Sequence, residues 1–227
     1  MAEPLLAGSP DHVNQLAALG LRLDYFQDAL RAGEQARRLV TANDPKAAAG
    51  TDDYFRRVRV LRDRLIEEEK WLRSDLDGLP LVVNPERTLA IGVLLGDRKT
   101  GWVGPYHPRS RRPVGEKKIK LVAHNDQPEL DLGLPPHRIR AGEIDIRSEG
   151  LAGVRTWFLV THRHVDRDGS VRVSSELSEP SETGLTAYVE RWIRRIPFPD
   201  LVFESVVPYT DHQEQDSAGY EVAVDEK

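Results

Sequence analysis

The stretch from Thr156 to Leu177, TWFLVTHRHVDRDGSVRVSSEL, decides the fold that we expect for this chain. Residues Thr156 to Val165 are rich in β-branched and aromatic side chains, which favour an extended strand. Asp166-Arg167-Asp168-Gly169 is a strong turn signal, and Val171 to Leu177 follows as a second strand-like run. The pattern predicts an antiparallel hairpin.

Apolar runs on either side of this hairpin predict further strands. Leu79 to Val83 and Thr88 to Leu95 are separated by Asn84-Pro85-Glu86-Arg87, which is typical of a second hairpin, and Leu201 to Val207 predicts a last strand. Three other segments leave alternatives open. Lys117 to Asn125 fits a strand or a short helix, Leu185 to Ile196 has helix-like spacing although a strand also fits, and Ile139 to Arg147 is compatible with an extended segment.

The region before Gly78 has helical periodicity instead. Ser9-Pro10-Asp11 predicts a first helix that ends at Gly20, and a second helix is expected from about Asp24 to Val40. Thr51 is the expected cap of a third helix that runs from Asp52 to about Asp75. Four apolar residues recur at helical spacing in that third helix: Tyr54, Val58, Leu61 and Leu65.

These elements together predict an α+β protein, with N-terminal helices packed on or beside a mainly antiparallel sheet. We expect a helical segment over residues 1–76 and a mainly antiparallel β region over residues 77–207, joined in one domain. Residues 208–227 form an acidic tail that we expect to be poorly ordered.

The composition narrows the classes of function. The chain of 227 residues has no cysteine, which excludes disulfides, thiolate metal sites and a cysteine nucleophile. The N-terminal sequence MAEPLLAGSP does not resemble a secretory signal, and no apolar run is long enough to span a bilayer. Arginine outnumbers lysine by 25 to 7, which is typical of a GC-rich bacterium. We therefore expect a cytoplasmic bacterial protein without a membrane partner.

A basic loop covers residues 98–120. It contains eight basic residues and one acidic residue, whereas residues 208–227 contain six acidic residues and one basic residue. Arginine and lysine beside Trp102 and Tyr106 suit contact with the backbone and bases of a nucleic acid, or with an acidic protein. The alternative is a solvated loop, or a loop paired with the chain's own acidic tail. The candidate binding residues are Arg109, Arg111, Arg112, Lys117, Lys118 and Lys120.

A second candidate site lies in the first hairpin, at His162, His164 and Asp166. Thr161 to Asp166 resembles the metal-binding signature of metallo-β-lactamase-fold hydrolases, which implies a metal held by these three residues. The family's next histidine is replaced here by Arg167, and the hairpin replaces the loop and helix that the family has at this point. An exposed strand face is therefore the favoured interpretation, and a metal-dependent hydrolase or nuclease is the alternative function.

Two further patterns resemble parts of known motifs for nucleic acid cleavage or binding. Gly142-Glu143-Ile144-Asp145-Ile146 resembles the first half of a magnesium-dependent nuclease motif, but no Glu–Lys pair follows on the next predicted strand. Leu16 to Ala29 has the layout of a helix-turn-helix, although the acidic residues Asp24 and Asp28 would repel DNA. No phosphate-binding loop, dinucleotide fingerprint or nucleophile elbow occurs.

Three stretches resemble an uncharacterised family of bacterial proteins: Pro80 to Gly101, Ser174 to Ser178 and Trp192 to Leu201. Their motifs are hydrophobic, and the resemblance implies no activity and no cofactor. From the residues themselves we expect a non-enzymatic binding component of a bacterial multiprotein system that uses the basic loop. A structural or assembly protein, including a homo-oligomer, is a third alternative.

Overall fold

A helical layer comes first along the chain, as predicted. The computed structural model describes residues 10–76, 78–125, 153–181, 183 and 187–205. Phe26 and Leu30 of the second helix and Leu61 and Leu65 of the third are buried, so the predicted apolar faces form the core. The three N-terminal helices are α1 (Pro10–Ala18), α2 (Leu23–Arg38) and α3 (Ala48–Glu69).

The third helix is shifted from its predicted bounds. It begins at Ala48, and Thr51 is not its cap: the Thr51 hydroxyl donates back to the Ala47 carbonyl. The helix ends at Glu69 because Lys70 adopts a left-handed conformation with φ of 60°. The residues that follow form a strand, so the predicted helical segment 1–76 already contains the first strand of the sheet.

The sheet is mainly antiparallel, which confirms the α+β class. Both predicted hairpins are present, and Gly169 has the positive φ of 82° that its turn requires. The strand order is β1-β2-β3-β4-β5-β6, and β7 also pairs with β5. The strands are β1 (Leu72–Leu76), β2 (Leu79–Val83), β3 (Leu89–Leu95), β4 (Arg155–Val165), β5 (Val171–Pro180), β6 (Trp192–Pro197) and β7 (Leu201–Phe203).

One pair of strands runs parallel, which the sequence patterns did not indicate. β3 and β4 are in register from Leu89 opposite Arg155 to Leu95 opposite Thr161. Between them in the chain lies a helix, α4 (Glu116–Asn125). The segment Lys117 to Asn125, which fitted either a strand or a short helix, is therefore helical. The carboxyl end of β3 therefore lies beside Thr161 of β4, close to the start of α3, and β4 continues to Val165.

The segment from Leu185 to Ile196, for which helical spacing was noted, contains strand β6 instead. Trp192 and Ile196 are four residues apart, and this spacing fits a period of two as well as a period of 3.6. Pairing with β5 decides between them: Ile196 lies opposite Leu177, and Arg195 lies opposite Ser178.

The sheet has one face towards α1–α3 and the other towards α4 and the loop before it. Trp157 and Leu159 of β4 join the core beneath the N-terminal helices. Their neighbours Phe158 and Val160 pack with Val122 of α4 on the opposite face. This alternation is the one expected of a strand that is buried on both sides.

Some predictions fall on residues that lie outside the described part of the chain. These are the extended segment Ile139 to Arg147, the nuclease candidate Asp145 and the acidic tail 208–227. Among the described residues, no helix has the length and apolar character that crossing a membrane would require.

Candidate anion-binding cleft

A cleft of about 730 Å³ opens at the end of β3, beside residues 161–163 of its parallel neighbour β4. The carboxyl ends of adjacent parallel strands are a common location for ligand sites in sheets covered by helices. The walls come from the start of α3, the ends of β3 and β4, and the segment around Arg111. Among the described residues, one carboxylate, Asp53, lines the cleft together with six cationic side chains: Arg37, Lys46, Arg57, Arg111, Arg112 and Arg163.

Arg57 forms the floor of the cleft and connects α3 to β4. Its side chain is 2% exposed, and Nη1 donates to Oγ1 of Thr161 at 2.6 Å. Nη2 donates to Oδ2 of Asp53 at 2.9 Å, one helical turn earlier. Burial raises the pKa of Asp53, and the charge of Arg57 opposes that rise. Because Arg57 already has its partners, its role is to hold the floor rather than to capture a ligand.

Arg163 is held by a second buried carboxylate, Glu34 of α2. Glu34 is fully buried and also accepts a hydrogen bond from Arg38 at 3.0 Å. Burial favours the neutral carboxyl, but the hydrogen bonds from Arg163 and Arg38 outweigh burial and lower the pKa of Glu34. The guanidinium of Arg163 is therefore fixed at the edge of the cleft while it remains partly exposed.

The remaining cations are open to a ligand. Lys46, Arg111 and Arg112 are exposed, and no carboxylate of the described residues lies within ion-pair distance of them. Arg37 is 4.0 Å from Asp53 and is also partly exposed. Lys46, Arg111 and Arg112 thus face one concave space without a carboxylate partner among the described residues, and Arg37 shares Asp53 with the buried Arg57. This excess of positive charge favours an anionic ligand.

The start of α3 adds to this positive potential. Ala47, Ala49, Gly50 and Thr51 line the cleft, so the N-terminal end of a 22-residue helix is directed at it. The first turn contains no acidic residue, and Ala47 provides no side-chain cap. A helix N-terminus carries a partial positive charge, which attracts an anion. The N–H groups of Ala48, Gly50 and Thr51 already donate to the carbonyl oxygens of Pro45 and Ala47, so the helix contributes this charge rather than free donors.

His162 is the one predicted metal ligand that faces the cleft. Its Nδ1 lies 3.4 Å from the carbonyl oxygen of Gly96, which can only accept, so Nδ1 carries the proton. Burial lowers the pKa of His162, and the charge of Arg111 adds to this. The ring is therefore neutral at pH 7, and Nε2 is left as a hydrogen-bond acceptor.

The six basic residues predicted from the loop separate into different environments. Arg111 and Arg112 line the cleft, whereas Arg109 stacks on Tyr188 with its guanidinium 4.3 Å from the ring centroid. Lys118 is half-buried above the ring of Phe158, and burial lowers its pKa. Lys120 pairs with Glu116 at 3.2 Å. The side chain of Lys117 is not among those that the structure describes. The basic loop is therefore not one continuous binding surface.

The predicted metal triad does not converge at one point. His162 is directed at Gly96, while Nε2 of the exposed His164 is 3.3 Å from Oδ1 of Asp166 and Arg172 is 3.3 Å from the other oxygen of Asp166. Across the part of the chain that the structure describes, no three histidine or acidic side chains are grouped as metal ligands. The hairpin explains this arrangement, because β5 returns directly alongside β4.

The helix-turn-helix candidate corresponds to α1 and α2, whose faces are used for packing. Tyr25, Phe26 and Ala29 of the presumed reading helix are buried in the core. At its start, Arg22 is paired with Asp24 at 2.5 Å.

The tip of the basic loop carries two exposed aromatic rings on a fixed backbone. Trp102 and Tyr106 are in edge-to-face contact, with centroids 6.3 Å apart. Beneath them, Arg195 donates to the carbonyl oxygens of both residues at 3.0 Å, and it is paired with the buried Glu176 at 2.6 Å. Glu176 also accepts from the backbone N–H of Gly101 at 2.7 Å. The backbone of this tip is therefore anchored, while both rings remain exposed to solvent.

Sequence reasoning missed four of the residues that line the cleft: Arg37, Lys46, Arg57 and Arg163. They come from α2, the turn before α3, α3 itself and β4, and they form no motif. One signal was available for Arg57, because it lies among the apolar residues of α3, next to Val58 and one turn before Leu61. An arginine on the buried face of an amphipathic helix needs a buried partner.

The chain matches no protein-family model, no curated protein and no solved structure. Its function must therefore be argued from the cleft itself.

Proposed function

We propose that this protein is a non-enzymatic component that binds single-stranded nucleic acid, with the phosphates held in the anion-binding cleft. The observation that carries the proposal is the convergence of four solvent-accessible cations, Arg37, Lys46, Arg111 and Arg112, at the start of α3. Phosphate groups are the anions that arginine forks and helix N-termini both suit.

The exposed rings of Trp102 and Tyr106 support a single strand over a duplex. Stacked bases in a duplex do not present their faces, whereas the bases of a single strand stack on aromatic side chains. Both rings belong to the same loop as Arg111, and the backbone pairing of Leu95 with Arg111 and of Asp97 with Arg109 joins the cleft to the loop. A location in the bacterial cytoplasm and membership of a multiprotein system belong to the same proposal.

The test is a salt titration of binding to labelled single strands of about 12 nucleotides, as DNA and as RNA, followed by fluorescence anisotropy. Contact of four cations with phosphates predicts a slope of log K against log salt of about −3. The double variant Arg111→Ala/Arg112→Ala should weaken binding and reduce the magnitude of that slope by about 1.4.

Arg59→Ala is the matched control, because Arg59 is an exposed arginine of α3 that pairs with Asp63 and does not line the cleft. It should bind as the unchanged protein does. The proposal is lost if the protein does not bind either strand at low salt, or if the double variant and the control lose affinity equally. Preference for polyglutamate over both strands would also overturn it, in favour of an acidic protein partner.

A further inference from the structure

A second pocket, of about 560 Å³, adjoins the anion-binding cleft. Four residues line both spaces: Tyr54, Leu95, Arg111 and Arg112. Beyond this shared boundary the character of the walls changes from basic to apolar. The two spaces therefore share a boundary that includes Arg111 and Arg112, and we refer to them together as the bipartite site.

The apolar compartment is walled mainly by aliphatic side chains. Leu79 comes from the start of β2, Val93 and Leu94 from the end of β3, and Val114 from the segment before α4. Its charged residues include Lys118, half-buried, and Glu116, whose side chain is 81% exposed and remains at the surface. Walls of this kind suit a hydrocarbon, because the edge of a nucleobase would need more hydrogen-bond partners than they offer.

We infer that the bipartite site binds a small phosphate ester with an aliphatic chain, the phosphate beside Arg111 and Arg112 and the chain in the apolar compartment. Charge complementarity sets the orientation, because the cationic groups are concentrated on the cleft side of the boundary. Such a ligand would occupy the same arginines as a nucleic acid strand and would displace it. The displacement rests on the proposed function, whereas direct binding of the ester does not.

The probes are inorganic phosphate and a series of n-alkyl phosphates below their micelle concentrations, measured by titration calorimetry. Each added methylene that enters the compartment should tighten binding about fourfold, until the compartment is full. An alkyl trimethylammonium ion of the same chain length tests for unspecific adsorption and should not bind. Binding that does not depend on chain length, or equal binding of the ammonium ion, would overturn the inference.

Leu95→Ala removes an aliphatic wall at the boundary without adding charge, and Leu95 is 42% exposed, so folding should tolerate the change. It should weaken the longer alkyl phosphates about fourfold relative to inorganic phosphate measured with the same variant. Val13→Ala is the control, because Val13 is a similarly exposed aliphatic residue on α1. Unchanged affinity for long chains in Leu95→Ala would contradict the assignment of the apolar compartment.

Displacement of a labelled single strand by octyl phosphate then separates the two proposals. If octyl phosphate binds with the expected chain-length dependence and no strand binds, the proposed function falls and the bipartite site stands. If strands bind and alkyl phosphates show no chain-length dependence, the bipartite site falls and the proposed function stands. Displacement at the affinity measured directly for octyl phosphate would support both.

Discussion

Arg163 of β4 and Glu34 of α2 form a bidentate ion pair, with Nε to Oε2 at 2.8 Å and Nη2 to Oε1 at 3.1 Å. The pair crosses from the helical layer to the sheet beside the cleft and is joined by Arg38 from the same helix. A carboxylate this deeply buried is tolerated because two guanidinium groups satisfy it.

Replacing Glu34 with alanine should lower the free energy of unfolding by about 3 kcal/mol. This is the lower end of the range for removing one partner of a buried ion pair, because Arg38 and Arg163 can both still reach solvent. The pKa of Glu34 is lowered in the folded state, so its contribution is complete above the unfolded value and is lost as the pH falls through the folded value. Denaturant unfolding of the unchanged protein and of Glu34→Gln at pH 7 and pH 4 checks this. A stability difference that grows on acidification would contradict the sign.

Gly33→Ala should destabilise the protein by about 1–3 kcal/mol, although alanine is the better helix former. A Cβ at Gly33 would overlap Oδ1 of Asp53 and would lie 2.6 Å from Cγ of Arg57. The control is Gly50→Ala in the first turn of α3, where an added Cβ meets no atom within 4 Å. Thermal unfolding should show the control equal to the unchanged protein or more stable by up to about 1 kcal/mol. Equal destabilisation in both variants would mean that Gly33 is not a packing requirement of the cleft floor.

Affinity for a single strand should increase several-fold as the pH falls from 7 to 5. Burial lowers the pKa of His162, so the ring gains its charge only below its usual titration range, and that charge adds to the cations of the cleft. The phosphodiester groups of a strand do not titrate in this range, which leaves the protein as the source of the change. His162→Asn should remove most of the pH dependence and keep the affinity at pH 7, and His164→Asn serves as the control. A pH dependence that persists in His162→Asn would exclude this imidazole as its origin.

Arg195→Ala should release the tip of the basic loop without removing either aromatic ring. Arg195 is the donor that holds the carbonyl groups of Trp102 and Tyr106, and its loss leaves Glu176 buried without its cation. We expect faster amide hydrogen exchange over residues 101–106 and a loss of stability of about 3 kcal/mol. Glu176→Gln/Arg195→Met, which removes both charges, should restore part of the stability but not the protection of the loop. Unchanged exchange in Arg195→Ala would show that other contacts hold the loop.

The regular elements could be predicted well where the chain's local pattern is unambiguous. The hairpin from Thr156 to Leu177 combines strand formers with a turn at Gly169, and both preferences act between near neighbours. Predictions were wrong where two periods overlap or where a segment is short. Trp71 to Asp75 was assigned to a helix and belongs mainly to β1, which forms because β2 provides a partner.

The candidate site could be predicted only in part. The sequence indicated Arg111 and Arg112 as candidates, because the excess of basic residues in the loop can be counted without knowing the fold. It could not separate these two from Arg109 and Lys118, whose charges are directed at aromatic rings from other parts of the chain. The count of charges in the loop also gave no indication of Arg37 or Lys46, which reach the cleft from α2 and from the turn before α3.

By itself, then, the sequence determined that helices precede a mainly antiparallel sheet, the α+β class, and the excess of basic residues in the loop 98–120. Only the tertiary structure decided that β3 and β4 run parallel and that their ends form a cleft. The physical reason is distance along the chain. Arg57 meets Thr161 across 104 residues and Glu34 meets Arg163 across 129, and no local preference encodes contacts between residues so far apart.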